Sequence, residues 1–546
     1  MDHTDDPDPF EAALRRDLPR GLERRAKTPG RDRGVSSHWL TPDEMSGEAW
    51  ESADGLLLGR RAGRVIRWKD DRHVMTIAGS RAGKGVSLII PNLIFYRGSA
   101  VVIDPKGENA ARTANRRGAG VKGMDGLGQV VHVLDPFGET GLASSSFNPL
   151  EGLDPGSPNV IEDAGLFADA LIIKDKASES HWAESAQALI RALILLVVAD
   201  PMFIGRRNLI TVRRLLTLTD DAIDIVMVRM KERLEERAQE QARKRQRDGV
   251  DVGPDARDAP TAMNALIKLL RDVANPECEF VCQGMAEQLA AMGDKELGSI
   301  LSTARTQTQW LDSSKMGKVL ETSQFKLEDL KLAKDGMTLY LCLPASRMAT
   351  HARWLRLMVM MALNTMERVP INPKRPVLFV LDEFPVLGAM PSIEVAAGLM
   401  AGFGVKLWTI VQNLGQLKQH YPQSWETFVA NSGVVTAFGV ADTESLKAVS
   451  ELLGQTGLVT RVDSGAPLAS RLGGTPSTRE DRSVVPLLAE HELRSVFARS
   501  KKRALVYTVE GDPAVVERFE YHAKTGRDFE LFGGKYDEDP LRSDTP

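Results

Sequence analysis

The sequence predicts an α/β fold in which a parallel sheet is interrupted by an all-helical insertion. Short β-branched runs alternate with helical stretches near the N-terminus, as in HVMTIA, AVVID and QVVHVLD. Such alternation is typical of a parallel sheet covered by helices. Apolar residues then recur only at helical spacing, as in SAQALIRALILLVV. Strand-like runs resume in MTLYLCLP, PVLFVLDEF, VKLWTIVQN and GVVTAFGV, so the sheet is completed after the insertion.

The length and composition are those of a globular protein with more than one domain. The chain has 546 residues, of which 42% are hydrophobic and 26% are charged. These values exclude collagen-like, fibrous and wholly disordered classes. The net charge of -4 excludes a globally basic nucleic-acid binder, although a local basic channel remains compatible with it. With only 3 cysteines, a disulfide framework and a structural zinc site are both excluded, which suits a reducing compartment.

The α/β domain is expected to be discontinuous in the chain. We assign it to residues 46–157 and 320–530, with an all-α inserted domain at 158–319 between the two parts. A basic, partly disordered arm precedes it at 1–45, and a disordered tail follows at 531–546. An alternative for the arm is a contact with anionic lipid, DNA or a neighbouring protein. The polar segment 457–482 contains Gly and Pro and is predicted to be a mobile loop.

The segment between HVMTIA and VSLIIPNLI predicts a P-loop. It follows an apolar strand, precedes a helix and is rich in glycine, so its backbone N–H groups can turn inward around phosphate oxygens. Lys84 is placed to reach the β- and γ-phosphates. The residues expected to cradle the phosphates are Gly79, Ser80, Arg81, Ala82, Gly83, Lys84, Gly85 and Val86.

The P-loop pattern is imperfect in two places. Ala78 stands at the first glycine position, and Gly85 stands where a hydroxyl residue is expected after the lysine. Without that hydroxyl, Mg²⁺ loses a protein ligand and relies on water and downstream acids. Ser87 is a poor substitute because it lies about 200° further around the helix. A glycine-rich turn without a ligand is the alternative interpretation.

A pair of acids after a buried strand predicts the second half of the site. The apolar run 377–381 leads directly into Asp382 and Glu383, and ligands of α/β sheets bind at the carboxyl ends of the strands. We expect Asp382 to hold Mg²⁺ and Glu383 to polarise the attacking water. The alternative is a strand-terminal helix cap.

Further polar residues are weaker candidates. Gln412 ends the strand VKLWTIVQN, where an amide can sense the γ-phosphate or orient water, and Asp104 ends AVVID, either linking the site to the sheet or making a simple turn. Ring ATPases commonly complete the site with a cation from the next subunit. Lys406, Arg305 and Arg356 are candidates for that cation, and ordinary surface cations are the alternative.

Three other residues are expected to have structural rather than chemical roles. His181, at the start of a helix, is expected to be a capping or core residue, and Cys278 and Cys282, four apart on a helix, are expected to pack in a core.

No membrane span is predicted from the sequence. A span needs about 20 consecutive apolar residues, whereas the best candidate, LIRALILLVVADPMFI, is interrupted by Arg191, Asp200 and Pro201. The N-terminus is acidic and lacks the apolar core of a signal peptide. We therefore expect a cytoplasmic protein, or one peripheral to the inner face of the membrane.

Taken in order, the motifs resemble those of the type IV coupling proteins, the conjugative DNA-transfer ATPases. The similarity spans roughly residues 55–525 and rests on AGSRAGKGVSLIIPNL, VVIDPKGENA, VLDPFG with SSFNPL, LYLCLP, VLDEFPVLG and IVQNLGQLKQHY. The resemblance implies a RecA-like nucleotide-binding domain, with an all-α domain inserted between the Walker motifs. It also implies a ring-forming, hexameric, DNA-dependent ATPase that uses ATP and Mg²⁺. Such an ATPase passes a relaxase with its single-stranded DNA, or protein, to a type IV secretion channel.

By matching motif, the resemblance places Gly83, Lys84 and Gly85 in Walker A. It places Asp382 and Glu383 in Walker B and Gln412 in the third motif. Family members commonly begin with two membrane-spanning helices, which this sequence does not show. Either the chain is a member without an anchor, or the sequence is part of a longer chain. A separate membrane-anchoring protein, contacted through the basic arm, is a candidate partner. Two rival functions remain: a cytosolic ring translocase of single- or double-stranded DNA, and a nonhydrolysing adaptor that recruits secretion substrates.

Overall fold

The computed structural model describes residues 37–173, 180–218, 262–463, 478–509, 511–533 and 536. Most of the predicted basic arm and most of the predicted tail lie outside these residues. The chain divides into two compact units. The sheet unit comprises Met1–Val131, Glu328–Leu341 and Met366–Pro546, and the helical unit comprises His132–Leu327 and Cys342–Thr365.

The strands follow each other along the chain with one long interruption. In chain order they are β1 (Leu56–Arg61), β2 (Arg64–Trp68), β3 (His73–Ala78), β4 (Ala100–Asp104), β5 (Gly120–Val121), β6 (Met124–Asp125), β7 (Val130–Leu134), β8 (Met337–Cys342), β9 (Val377–Leu381), β10 (Val405–Val411), β11 (Ser432–Phe438), β12 (Gln455–Asp463), β13 (Thr478–Pro486), β14 (Arg503–Thr508) and β15 (Ala514–Glu517). An 11-stranded sheet has the order β2-β1-β15-β14-β11-β3-β10-β9-β4-β8-β7.

Helices lie before, between and after these strands, including in the long interruption between β7 and β8. In chain order they are α1 (Glu48–Glu51), α2 (Ile90–Phe95), α3 (Glu108–Arg117), α4 (Val160–Leu171), α5 (Ser180–Ala199), α6 (Leu209–Thr217), α7 (Ala262–Arg271), α8 (Glu279–Ala291), α9 (Asp294–Thr308), α10 (Ser314–Leu320), α11 (Asp329–Leu332), α12 (Ala345–Arg368), α13 (Pro391–Leu399), α14 (Leu414–His420), α15 (Trp425–Ala430), α16 (Thr443–Leu452), α17 (Glu490–Val496) and α18 (Gly526–Phe532).

The centre of the sheet is parallel and fully buried. β3 pairs in parallel with β10 and with β11, and β9 pairs in parallel with β10 and with β4. Every residue of β3, β9 and β10 is buried, as expected of strands covered on both faces. The predicted α/β class is therefore confirmed, and the strands predicted from β-branched runs are present.

An antiparallel flank of the sheet was not predicted. β1 pairs with β2 and with β15, and β15 pairs with β14, all antiparallel. Ala62 and Gly63 connect β1 to β2 with φ of 47° and 75°, and two successive positive φ values suit the two-residue turns that match strand twist. The short dipeptide Ala-Gly between two arginines is an inconspicuous turn signal, which is why the hairpin was overlooked.

The predicted mobile loop at 457–482 is wrong for its two arms. β12 and β13 pair antiparallel, from Gln455 opposite Pro486 to Asp463 opposite Thr478. Most of the β-branched residues of this segment lie in these arms, whereas most of its glycines and prolines lie in 464–477, which is outside the described residues. A ladder of main-chain hydrogen bonds therefore forms where composition alone favoured a loop.

Helix α5 is the centre of the helical unit. It packs against α4, α6, α7, α8 and α9, and Arg191 lies within it without interrupting it. Asp200 and Pro201 follow its end, where the Asp200 side chain accepts from the Met202 backbone N–H. Arg191 thus interrupts the apolar run but not the helix, because an interior arginine leaves the backbone ladder intact, as the helical spacing of SAQALIRALILLVV predicts.

One helix among the described residues is long and apolar enough to cross a membrane, judged by length and composition alone. It is His181–Ala199, with a mean hydropathy of 1.6, and 61% of this stretch is buried inside the protein.

Cys278 and Cys282 are free and buried in the helical unit, as predicted. His181 is not a core residue: it is exposed, and its ring packs edge-on against Trp182 at 5.1 Å. The residues that precede this helix, and with them a capping role, lie outside the described residues.

Candidate nucleotide-binding site

Three sequence motifs meet at one edge of the sheet. β10 lies between β3 and β9, and all three strands run in the same direction. At their carboxyl ends, β3 leads into the glycine-rich turn, β9 leads into Asp382 and Glu383, and β10 leads into Gln412. Lys84 and Glu383 are thereby brought together although they are 299 positions apart in the chain.

The predicted catalytic and metal-binding side chains form one contact cluster. Lys84 Nζ lies 2.7 Å from Asp382 Oδ1 and 2.9 Å from Glu383 Oε1. Gln412 Nε2 donates to both carboxylate oxygens of Glu383, each at 3.0 Å. Because a carboxylate only accepts hydrogen bonds, the NH₂ side of the Gln412 amide must face it. The structure thus brings together all four side chains that the sequence nominated for chemistry.

Burial and charge act against each other in this cluster. Burial disfavours the ammonium of Lys84, but the carboxylates of Asp382 and Glu383 outweigh that effect and raise its pKa. Burial raises the pKa of Asp382, and the nearby Lys84 opposes the rise. Lys84 is therefore a firmly charged group, held where an approaching anion meets little water.

Asp104 lies at the end of the neighbouring strand and is almost fully buried. Burial raises its pKa to about 7, although backbone N–H groups of Ala110 and Asn109 favour the ionised form. The carboxylate of Asp382 adds to the rise. Ala110 N donates to Asp104 Oδ2 at 2.8 Å, so the side chain caps the segment that follows β4 and also feels the charge of the site.

The turn after β3 has the backbone shape of a phosphate cradle. Arg81 and Gly83 have φ of 56° and 93°, in the left-handed region. A Cβ at Gly79 would lie 2.1 Å from the carbonyl oxygen of Gly439, so only glycine fits there. Of the predicted cradle residues, Ser80 and Arg81 are exposed, Ala82 is buried, and the others are half-buried. This tight turn and the helical segment that begins at Gly85 are compatible with a bound polyphosphate.

The hydroxyl position of the loop is open. A Cβ at Gly85 would meet nothing within 4 Å, so a larger residue would fit. The Ser87 hydroxyl donates to the Gly83 carbonyl at 2.8 Å and is therefore engaged with the loop backbone. This agrees with the expectation that Ser87 is a poor replacement for a hydroxyl at position 85.

Glu383 has a left-handed backbone, with φ of 61° and ψ of 43°. A non-glycine residue in this region carries strain, and such residues concentrate at functional sites. The 3₁₀ turn Phe384–Leu387 that follows, together with Lys84 and Gln412, holds the side chain at the sheet edge. No feature of the sequence indicated this conformation.

Sequence reasoning also missed Arg518, in the segment after β15. One of its guanidinium nitrogens donates to the carbonyl of Ala82, inside the glycine-rich turn. Burial lowers its pKa to about 10, so the side chain remains charged near neutral pH. A single arginine far along the chain gives no local signal, because its link to the turn exists only after folding.

The cations proposed to reach a neighbouring subunit lie elsewhere. Lys406 is 4% exposed at the start of β10, at the end opposite Gln412, and donates to backbone carbonyls. Arg356 is also 4% exposed and donates to the Ala170 carbonyl. The predictions for Lys406 and Arg356 are therefore wrong, because both side chains are buried and donate hydrogen bonds to carbonyls within their own unit, so they cannot reach a neighbouring subunit. Arg305 donates to a backbone carbonyl of the helical unit at 3.0 Å.

The chain matches one protein family over most of its length. The model of the family described as "Type IV secretory system Conjugative DNA transfer" matches residues 24–539. The conjugal transfer protein TraG of Escherichia coli is 26% identical over 449 residues, covering 79% of this chain and 62% of TraG. The type IV secretion system-coupling protein VirD4 of Bartonella henselae is 26% identical, covering 77% of this chain and 58% of VirD4. The chain thus spans about three-fifths of the length of these curated relatives.

Solved structures of the plasmid coupling protein TrwB are similar in fold. TrwB in complex with the non-hydrolysable ATP analogue ADPNP has a TM-score of 0.60 at 14% identity, covering 91% of this chain and 96% of that one. TrwB in complex with ADP and Mg²⁺ has a TM-score of 0.58 at 15% identity, covering 92% and 98%. The predicted RecA-like P-loop fold with an inserted all-α domain is therefore confirmed.

Proposed function

Since the chain belongs to the type IV secretory system conjugative DNA transfer family, we propose that it is a P-loop ATPase that delivers DNA or protein substrates to a type IV secretion channel. The observation that carries this proposal is the contact of Lys84 with Asp382 and Glu383, with Gln412 on Glu383. The complexes of TrwB with ADPNP and with ADP and Mg²⁺ support ATP and Mg²⁺ as the ligands.

Each side chain of the cluster has a role in this proposal. The N–H groups of Gly79 to Val86 bind the phosphates, and Lys84 leaves the carboxylates to meet the β- and γ-phosphates. Asp382 would hold Mg²⁺, and the metal would supply positive charge against the phosphates. Glu383 accepts a proton from the attacking water. Gln412, already hydrogen-bonded to Glu383, orients that carboxylate and the water.

The same family membership supports the choice of partners. We propose single- or double-stranded DNA, a relaxase, channel components and a hexameric ring of this chain, with a separate membrane-anchoring protein. The net charge of -4 requires the DNA contact to be local, because the whole chain does not attract a polyanion. A cation from the neighbouring subunit completes the site in such a ring.

Turnover with and without DNA tests this proposal. We expect the purified chain to hydrolyse ATP in the presence of Mg²⁺, and single-stranded DNA to raise the rate severalfold. DNA binding is electrostatic, so the stimulation should fall steeply as salt is raised. The measurement is steady-state phosphate release over a range of salt concentrations.

The outcomes of this experiment separate the rival functions. Nucleotide binding without hydrolysis, with or without DNA, would favour the adaptor. Stimulation without recovery of a relaxase or channel component from the native cell would favour a cytosolic translocase. An absence of nucleotide binding would overturn the proposed function altogether.

The Gly85→Ser variant tests the missing Mg²⁺ ligand. Because there is room for a side chain at position 85, we expect the added hydroxyl to serve as a metal ligand. The Mg²⁺ concentration for half-maximal ADP binding should fall on the order of tenfold, as for other single changes near a bound metal. Gly85→Ala is the matched control, since it adds the Cβ without the oxygen and should leave Mg²⁺ dependence unchanged. Equal effects of both variants would show that helix propensity, rather than metal ligation, is responsible.

A further inference from the structure

We infer that Arg518 is a positioning residue that orients the peptide between Ala82 and Gly83, so that the Gly83 N–H group faces the bound phosphates. The inference rests on the proposed function, because it assigns Arg518 to the same nucleotide site. Arg518 orients this peptide from outside the loop, by its hydrogen bond to the Ala82 carbonyl, and has no contact of its own with the nucleotide.

The guanidinium of Arg518 is held on several sides. One terminal nitrogen donates to the Ala82 carbonyl, and the other donates to the Arg499 carbonyl at 2.8 Å. The guanidinium carbon lies 4.7 Å from the ring centroid of Phe438, at the end of β11. The Arg518 backbone N–H donates to the Lys502 carbonyl at 2.8 Å. With 7% of its surface exposed, this side chain has little freedom to move.

The planarity of the peptide transmits this position to the loop. In a trans peptide the C=O and the next N–H point in opposite directions. The Ala82 carbonyl is directed at Arg518, so the Gly83 N–H is directed away from Arg518. A Cβ at Gly83 would lie 3.5 Å from the nearest Arg518 nitrogen, so the arginine packs directly against the loop at this residue.

Gly83 is the residue for which such a restraint matters most. With φ of 93° and no side chain, its flanking peptides can flip at low cost, which would turn a carbonyl toward the phosphates. A guanidinium holding the Ala82 carbonyl opposes the flip through a charge-assisted hydrogen bond. The turn at Gly439 packs against Ala82, the other residue of this peptide, because a Cβ at Gly439 would lie 2.7 Å from the Ala82 Cβ.

ADP affinity of the Arg518→Met variant tests the inference. We expect its Kd for ADP to rise about tenfold or more, the worth of one hydrogen bond to a charged group. The KM for ATP should rise in parallel, while kcat changes less, because the Gly83 N–H binds phosphate in the ground state and in the transition state alike. Arg518→Lys keeps a cation over Phe438 and can reach one carbonyl, so its ADP affinity should be intermediate. If Arg518→Met does not fold, the ADP affinity of Arg518→Lys tests the inference in its place.

Arg60 provides a matched control. It is also 7% exposed, donates to Asp528 at 2.8 Å and to the Arg527 carbonyl at 2.6 Å, and stacks on Phe519 at 5.5 Å. Arg60→Met should lower the unfolding temperature by a similar amount to Arg518→Met and leave the Kd for ADP unchanged. Wild-type affinity in Arg518→Met, or equal loss in Arg60→Met, would overturn the positioning role while leaving the proposed function intact. Failure of the wild-type chain to bind ADP would instead refute the proposed function.

Discussion

Replacing Lys84 by alanine is expected to lower ATP turnover by roughly 10²- to 10³-fold, the usual cost of removing one preorganised charge from a transition state. Lys84 is the basic side chain that contacts both Asp382 and Glu383 at the sheet edge. Without its ammonium, the developing charge on the transferred phosphate loses a stabilising partner. Steady-state phosphate release at saturating ATP and Mg²⁺ measures the effect.

A surface lysine provides the control for this loss. Lys69 pairs with Glu48 on the exterior of the sheet unit, and exposed pairs contribute little to stability. Lys69→Ala should therefore retain turnover. Hydrolysis by Lys84→Ala at the wild-type rate would mean that the glycine-rich turn is not the nucleotide site.

The sequence predicted those residues of the site that directly follow the ends of recognisable strands. Asp382 and Glu383 follow a fully apolar run, and Lys84 follows a strand and a glycine-rich turn. Parallel strands place such ends on one edge of a sheet. The position of β10 between the other two strands, and hence the hydrogen bond from Gln412 to Glu383, came only from the structure. Strand order depends on long-range packing that no local pattern encodes.

The unpredicted features share a physical cause. Arg518 and Gly439 are far from the loop in sequence. Arg518 contacts it through a hydrogen bond to the Ala82 carbonyl, and the Gly439 backbone packs closely against Gly79. The left-handed backbone of Glu383 is imposed by its surroundings against its own preference. The burial of Lys406 likewise depends on carbonyls that reach it only in the folded sheet unit. Each depends on tertiary contacts, which composition and periodicity do not report.

The Glu383→Gln variant is expected to bind ATP and to hydrolyse it about 10²- to 10⁴-fold more slowly, the range of a general-base contribution. In the wild type, Gln412 donates to both carboxylate oxygens of Glu383. The amide of the variant has the same shape as the carboxylate, so its oxygen can still accept a hydrogen bond from Gln412. It cannot take a proton from water. Lys84 also keeps Asp382 as a partner at 2.7 Å. The measurements are ADP binding and single-turnover hydrolysis in the presence of Mg²⁺.

The neighbouring acid gives the contrast that separates a base from a metal ligand. Asp382→Asn should lose the Mg²⁺ dependence of nucleotide binding, whereas Glu383→Gln should keep it, because only the first is assigned to the metal. If Glu383→Gln loses ADP binding, the strained backbone at this residue serves to shape the pocket rather than to hold a base. If it retains more than about a tenth of the wild-type rate, below the smallest effect of a general base, water is activated elsewhere. Asp104, buried at the end of the next strand with its pKa raised to about 7, would then be the residue to substitute.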